Sequence, residues 1–143
     1  MMPTSDNKIF KYNSIFLGST MFMFGFLKFF EPFRTWFDVQ ITKSGLPRLS
    51  IPMGITGEIS IGLSLLSAAC FGRKASNIFG PIASAASAAL IANMGGATYV
   101  HVHPEVPAEV LPLKIKPPII PLIFMLLAAV NLVQLRRDHW QRS

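Results

Sequence analysis

Residues 54–71 read GITGEISIGLSLLSAACF, an apolar run of membrane-spanning character that carries a carboxylic acid, Glu58. A charge at the centre of a membrane helix costs ~2.5–3.5 kcal/mol on insertion scales, so such a group faces protein or a water-filled cavity. The candidate partner is Lys28, near the end of the preceding apolar run. Ser14, Gly18, Met21, Gly25 and Lys28 follow one another at intervals of four, three, four and three, which places them on one helical face. Two readings of Lys28 stay open. Its ammonium can snorkel to the interface on a long stem, or it can turn inward and pair with Glu58. The depths agree with pairing, because at a rise of 1.5 Å per residue Lys28 stands ~5 Å from its helix end and Glu58 ~10 Å from the start of its own.

A second constellation lies in residues 98–118, TYVHVHPEVPAEVLPLKIKPP, where His101 and His103 precede Glu105 and Glu109. Imidazole suits zinc, iron or copper, and a carboxylate can complete the shell, so His101, His103 and Glu105 are metal candidates. A spacing of two puts both histidines on one side only in extended chain, and no His-Glu-x-x-His helix is present. A polar loop whose histidines meet water is the simpler reading. Pro104, Pro107, Pro112, Pro117 and Pro118 argue for a stiff, extended excursion. The single cysteine of the sequence, Cys70, removes any dithiol redox mechanism. It reads as an apolar filler.

These groups need elements to hold them, and the composition says which. Of the 143 residues 51% are hydrophobic and only 14% charged, with a mean hydropathy of +0.46. That is the balance of an integral membrane protein whose first partner is the lipid bilayer. The length fits an all-α fold of four transmembrane helices, an antiparallel up-down-up-down bundle forming one domain. The spans are expected near residues 12–30, 51–71, 77–100 and 119–135. The polar lead 1–11 is expected to fray at the surface, and the first apolar run reads as a retained span rather than a cleaved signal.

Between the first two spans, Phe33, Trp36 and Phe37 recur at helical spacing beside Arg34 and Asp38, which suits a short amphipathic segment at headgroup level. Residues 72–74, Gly-Arg-Lys, make a tight basic turn before the third span. In that span Gly80, Ser84, Ala88, Ala92 and Gly96 repeat every four residues. Such a small-residue ridge predicts close helix contact and a central place for this helix. Asn93 on the same span could hydrogen-bond to a neighbour. Asn131 and Gln134 lie near the inner end of the last span, and Trp140 reads as an interface aromatic.

The net charge of +6 comes from basic residues at the ends of apolar runs, so nucleic acid is excluded as a partner. Lys8, Lys11, Arg73, Lys74, Arg136, Arg137 and Arg142 would lie on one side, and Arg34, Lys43, Arg48, Lys114 and Lys116 on the other. Seven basic residues against five favour cytoplasmic N- and C-termini.

The pattern G-F-L-K-F-F at residues 25–30, followed by G-x-x-G-E-x-x-x-G at 54–62, resembles the DoxX-like family of small four-helix membrane proteins. The resemblance covers about residues 12–135. It implies a bundle in the plasma membrane with Gly25, Lys28, Gly57 and Glu58 at recurrent motif positions. Some members are linked to thiosulfate:quinone oxidoreductase or to other membrane oxidoreductase complexes, and many have no assigned activity. The ionisable pair on facing small-residue helices, together with the resemblance, points to an accessory subunit with a polar site at Lys28 and Glu58, for which Gly25, Gly57, Asn93 and His101 are the further candidate residues. Its ligand would be a lipophile such as a quinone, bonded by Lys28 or His101, and its partners other membrane subunits or a second copy. Whether it is an enzyme stays open. The alternatives are a proton-coupled transporter using Glu58, a metal-dependent membrane enzyme, and a purely structural assembly subunit. Small multidrug exporters carry their membrane acid in the first span, whereas here it is in the second. The paired cysteines of vitamin K epoxide reductase bundles are lacking.

Overall fold

Long apolar runs broken by proline and glycine set the order of elements, and a computed structural model of the chain describes residues 4–72 and 76–142, with side chains over 8–72 and 77–137. The described residues are all-α: α1 (Thr4–Leu27), α2 (Phe33–Lys43), α3 (Ser50–Phe71), α4 (Ser76–Val102) and α5 (Ile119–Arg142), with single 3₁₀ turns at Ala108–Val110 and Pro112–Lys114. Three stretches, Ser50–Phe71, Asn77–Val102 and Ile119–Arg137, are long and apolar enough to cross a bilayer, with mean hydropathies of 1.4, 1.4 and 2.0. The chain is therefore an integral membrane protein.

The first helix departs from expectation at both ends. It starts at Thr4, so residues 4–11 are helical rather than frayed, and it stops at Leu27 instead of continuing to residue 30. Beyond Leu27 the amides of Lys28, Phe29 and Phe30 bond back three residues to Gly25, Phe26 and Leu27, a tightening turn. Pro32 disfavours helix at the residue before it and helps enforce this stop. Arg73 and Lys74 of the basic turn, and the side chains of Asp138, Trp140 and Arg142, lie outside what is described.

Packing runs from α1 to α3, α3 to α4, α4 to α5 and α5 back to α1. The α1 face foreseen from spacing is the buried one: Ser14, Gly18, Met21 and Gly25 are buried, while Phe26 and Phe29 point outward. Gly18 and Gly62 meet where α1 crosses α3. A Cβ on Gly62 would sit 2.7 Å from the Gly18 carbonyl oxygen and 2.7 Å from the Phe22 amide nitrogen, both backbone atoms that cannot swing aside. The contacts are antiparallel, because Gly18 meets Gly62 and Leu66 while Gly25 meets Ile55, Glu58 and Ile59. Leu17, Met21, Ile61, Leu65, Leu90, Met94, Phe124 and Ala128 fill the core between the four long helices.

The ridge on α4 is a correction. Ala88, Ala92 and Gly96 are exposed, and the buried face carries Ala83, Ala86, Ser87, Leu90, Met94, Val100 and His101. A Cβ at Gly80 or Gly96 would meet nothing within 4 Å. Leu90 and Met94 carry the apolar area that this helix gives to the core, and Ala83, Ala86 and Ser87 share their face, which leaves Ala88, Ala92 and Gly96 outside it. The closest helix approach belongs to α1 and α3.

The excursion 98–118 is also shorter and less extended than its prolines suggested. Helix α4 runs on to Val102, and beyond it Val106 and Leu111 pack with Val100, Leu46 and Val110 into a small second core. Lys116 Nζ donates to the carbonyls of His103 and Val106. Gln40 of α2 donates to the Val110 carbonyl, and Tyr99 Oη donates to that of Ser44 at 2.8 Å. The two long connections therefore fold together as one cap over the same end of the helices. At the far end of α1, Asn13 donates to the Leu127 carbonyl at 2.7 Å and to Asn131 Oδ1 at 2.8 Å, and Asn131 donates to Ser14 Oγ at 3.0 Å.

Two glycine variants test the seam. Gly62→Ala should destabilise the protein by about 1–3 kcal/mol through overpacking against backbone, seen as a lower midpoint of thermal unfolding in mild detergent. Gly96→Ala should leave the midpoint unchanged or slightly higher, since a helical Gly→Ala change in open space is mildly favourable. Equal effects at both positions would contradict the assignment of the tight seam to α1 and α3.

Candidate functional site

Helix α3 places Glu58 on its buried face with Ile61, Gly62, Leu65 and Ala68. Burial of a carboxylate requires a cation, and α1 delivers one from the turn just beyond Leu27. Lys28 Nζ donates to both Glu58 oxygens at 2.6 Å. The two side chains are 16% and 9% exposed, so the pair is shielded from solvent but not sealed. Gly25, one turn earlier, makes this approach possible: a Cβ there would lie 3.1 Å from Glu58 Cβ and 2.8 Å from Ile59 Cγ1. Charge-assisted, two-oxygen contacts of this kind are the strong class of hydrogen bond. Of the two readings of Lys28, the inward one holds.

Phe37 of α2 completes the surround. Lys28 Nζ lies 4.4 Å from the centre of its ring, within cation–π range. The same ring is seated against Gly54, where a Cβ would stand 2.9 Å from Phe37 Cζ. Phe37 is therefore buried packing for the ion pair rather than a headgroup anchor. The spacing of Phe33, Trp36 and Phe37 announced an amphipathic helix, but nothing in the sequence shows that Gly54 is its seat.

A cavity of about 440 Å³ opens beside the pair. Lys28, Phe29, Arg34 and Phe37 line one side, and Ile51, Pro52, Ile55 and Thr56 from the start of α3 line the other. Its size falls within the ~300–1,000 Å³ of small-molecule sites, and its mixture of apolar walls with a few polar groups is typical of them. Of the three N–H bonds of the Lys28 ammonium, two are directed by the Glu58 oxygens; no further N or O acceptor bonds it among the described residues, and the Phe37 ring lies 4.4 Å from Nζ.

The other expected site residues lie elsewhere. Gly57 faces α4, where a Cβ would be 3.8 Å from Asn93 Nδ2, an ordinary contact across the α3–α4 seam. His101 is buried at 3% exposure, with Nδ1 2.8 Å from the Ala97 carbonyl, and it does not line the cavity. His103 Nδ1 accepts the Glu105 amide at 3.2 Å. Among the described residues no three or more His, Cys, Asp or Glu side chains converge as a metal set. His101 on the inner face of α4 and His103 in the following turn are separated by the end of the helix.

Comparison of the chain with protein-family models, with curated proteins and with solved structures finds no match. The functional reading rests on the site itself.

The ion pair makes a directional prediction. Lys28→Met leaves the Glu58 carboxylate buried without its cation and should cost about 3–5 kcal/mol. Glu58→Gln should cost less, because the freed Lys28 ammonium can swing toward the cavity mouth. The double variant Lys28→Met/Glu58→Gln should regain much of the loss. Unfolding titrations of all four proteins in mixed micelles would measure the coupling, and strictly additive effects would mean that the pair does not act as a unit.

Proposed function

We propose that the chain is a DoxX-like membrane protein that binds a lipophilic molecule, such as a quinone, in the cavity beside Lys28 and serves as an accessory subunit of a membrane oxidoreductase system. In this reading α1 crosses the bilayer with α3, α4 and α5 as a four-helix transmembrane bundle. The protein sits in the plasma membrane with both termini cytoplasmic, an orientation supported by the excess of basic residues on that side. The observation that carries the proposal is the cavity itself, which joins aromatic and aliphatic walls to a partly exposed ammonium that bonds no N or O acceptor beyond Glu58 among the described residues. A quinone carbonyl needs one such donor. Lys28 takes that role, with Phe29 and Phe37 flanking the ring, and His101 takes no part because it does not reach the cavity.

The two-oxygen contact counts against a proton-coupled transporter. An exchanging acid has to release and accept protons during its cycle, whereas Glu58 is clamped by Lys28 through both oxygens. A purely structural role is favoured by one observation, that the pair ties the end of α1 to α3 along the same seam in which Gly18, Gly25 and Gly62 allow close approach. The two readings separate at the cavity rim.

Thr56 lines the cavity yet is exposed, so Thr56→Trp fills the space without entering the helix seam. Native mass spectrometry of protein purified in mild detergent should show a bound lipophile in wild type and its loss from Thr56→Trp, with the unfolding midpoint preserved. An empty wild-type protein, or a lipophile retained equally by the variant, would favour the structural role.

A further inference from the structure

Three acidic residues on the elements that border the cavity have partners of their own. Glu58 is held by Lys28. Glu31 accepts the amide of Thr35 at 3.3 Å and its hydroxyl at 2.5 Å, and Asp38 accepts from Arg48 Nη2 at 2.9 Å. The ion pairs among the described residues therefore use Lys28 and Arg48. Arg34, which also lines the cavity, is left without a carboxylate, and no acidic side chain lines that space. A guanidinium offers a planar fork of donors matched to the oxygens of a phosphate or carboxylate. A neutral carbonyl would use little of it. Phe29, 57% exposed, lines the same space and offers it an apolar surface.

We propose that this cavity takes an anionic amphiphile, its phosphate or carboxylate headgroup bound by Arg34 and the Lys28 ammonium and its apolar chain lying along Phe29 and the start of α3. This rests on the lipophile-binding reading of the same cavity and puts an anionic chain in place of the neutral quinone. Arg34 sets specificity, because among the cations that line the cavity it is the one in no ion pair among the described residues. Lys28 contributes a donor whose charge Glu58 already balances.

The test uses the full chain in a non-ionic detergent and compares dodecyl phosphate, dodecanol and inorganic phosphate by titration calorimetry on wild type, Arg34→Gln, Arg34→Lys and Thr56→Trp. Wild type should bind dodecyl phosphate about tenfold or more tighter than dodecanol, the difference that one or two charged hydrogen bonds supply. Arg34→Gln should lose that preference while still binding dodecanol, Arg34→Lys should keep part of it, and Thr56→Trp should bind neither. Equal affinity for the charged and neutral chains in wild type would overturn the charge assignment and leave the lipophile site standing. Inorganic phosphate binding as tightly as dodecyl phosphate would overturn the amphiphile in favour of a free-anion site. A phosphate preference that survives in Thr56→Trp would assign it to the general basic surface, again overturning the proposal. Failure of both chains to bind would overturn the lipophile reading along with it.

Discussion

Everything at this end of the molecule depends on the burial of one carboxylate. Glu58 faces the seam between two helices, and a charge there is tolerated only with a cation in contact. The cation is on the neighbouring helix, so α1 and α3 must come close, and closeness is obtained by removing side chains at Gly18, Gly25 and Gly62. The electrostatic demand and the glycine pattern are thus one constraint seen from two sides. An ion pair with lysine would be possible at greater helix separation only by exposing more of the carboxylate.

Much of this was legible in the sequence, because periodicity and charge are local signals. The face Ser14–Gly18–Met21–Gly25–Lys28 could be read from intervals alone, and the burial of its residues follows it. The small-residue ridge of α4 obeyed the same rule and turned out exposed. Both patterns mark surfaces that allow close contact, but on α4 a second, apolar face competed, with Leu90 and Met94 at its centre. Which face wins depends on the volumes that neighbouring helices offer, and those are tertiary quantities. Asn131 shows the limit from another direction, since its partners Asn13 and Ser14 lie 118 and 117 residues away.

The histidine loop illustrates how proline counting misleads. Five prolines within residues 104–118 do exclude regular helix, but they do not require an extended arm. Carbonyls left free by missing amide partners are good acceptors: Lys116 and Gln40 supply donors to those of Val106 and Val110, and Lys116 adds a second donor to that of His103. The result is a cap with its own small core. His101 stays within α4, with Nδ1 against the Ala97 carbonyl, and neither joins that core nor lines the cavity.

The early stop of α1 links the structural and binding aspects of the site. Had the helix continued to residue 30, Lys28 would have lain on a regular helical turn and the chain would have carried on along α3. Because it tightens after Leu27, the chain leaves the α3 surface at the level of Ile55 and Thr56 and returns through α2, so that a space remains between the turn and the start of α3. Lys28 stands at the branch point, bonded to Glu58 on the seam side and bordering the cavity on the other. Altering either partner of the pair therefore disturbs packing and the wall of this space together. The cavity's chemistry can be probed separately only from its outer wall, where Arg34 and Thr56 are exposed and carry no share of the helix seam.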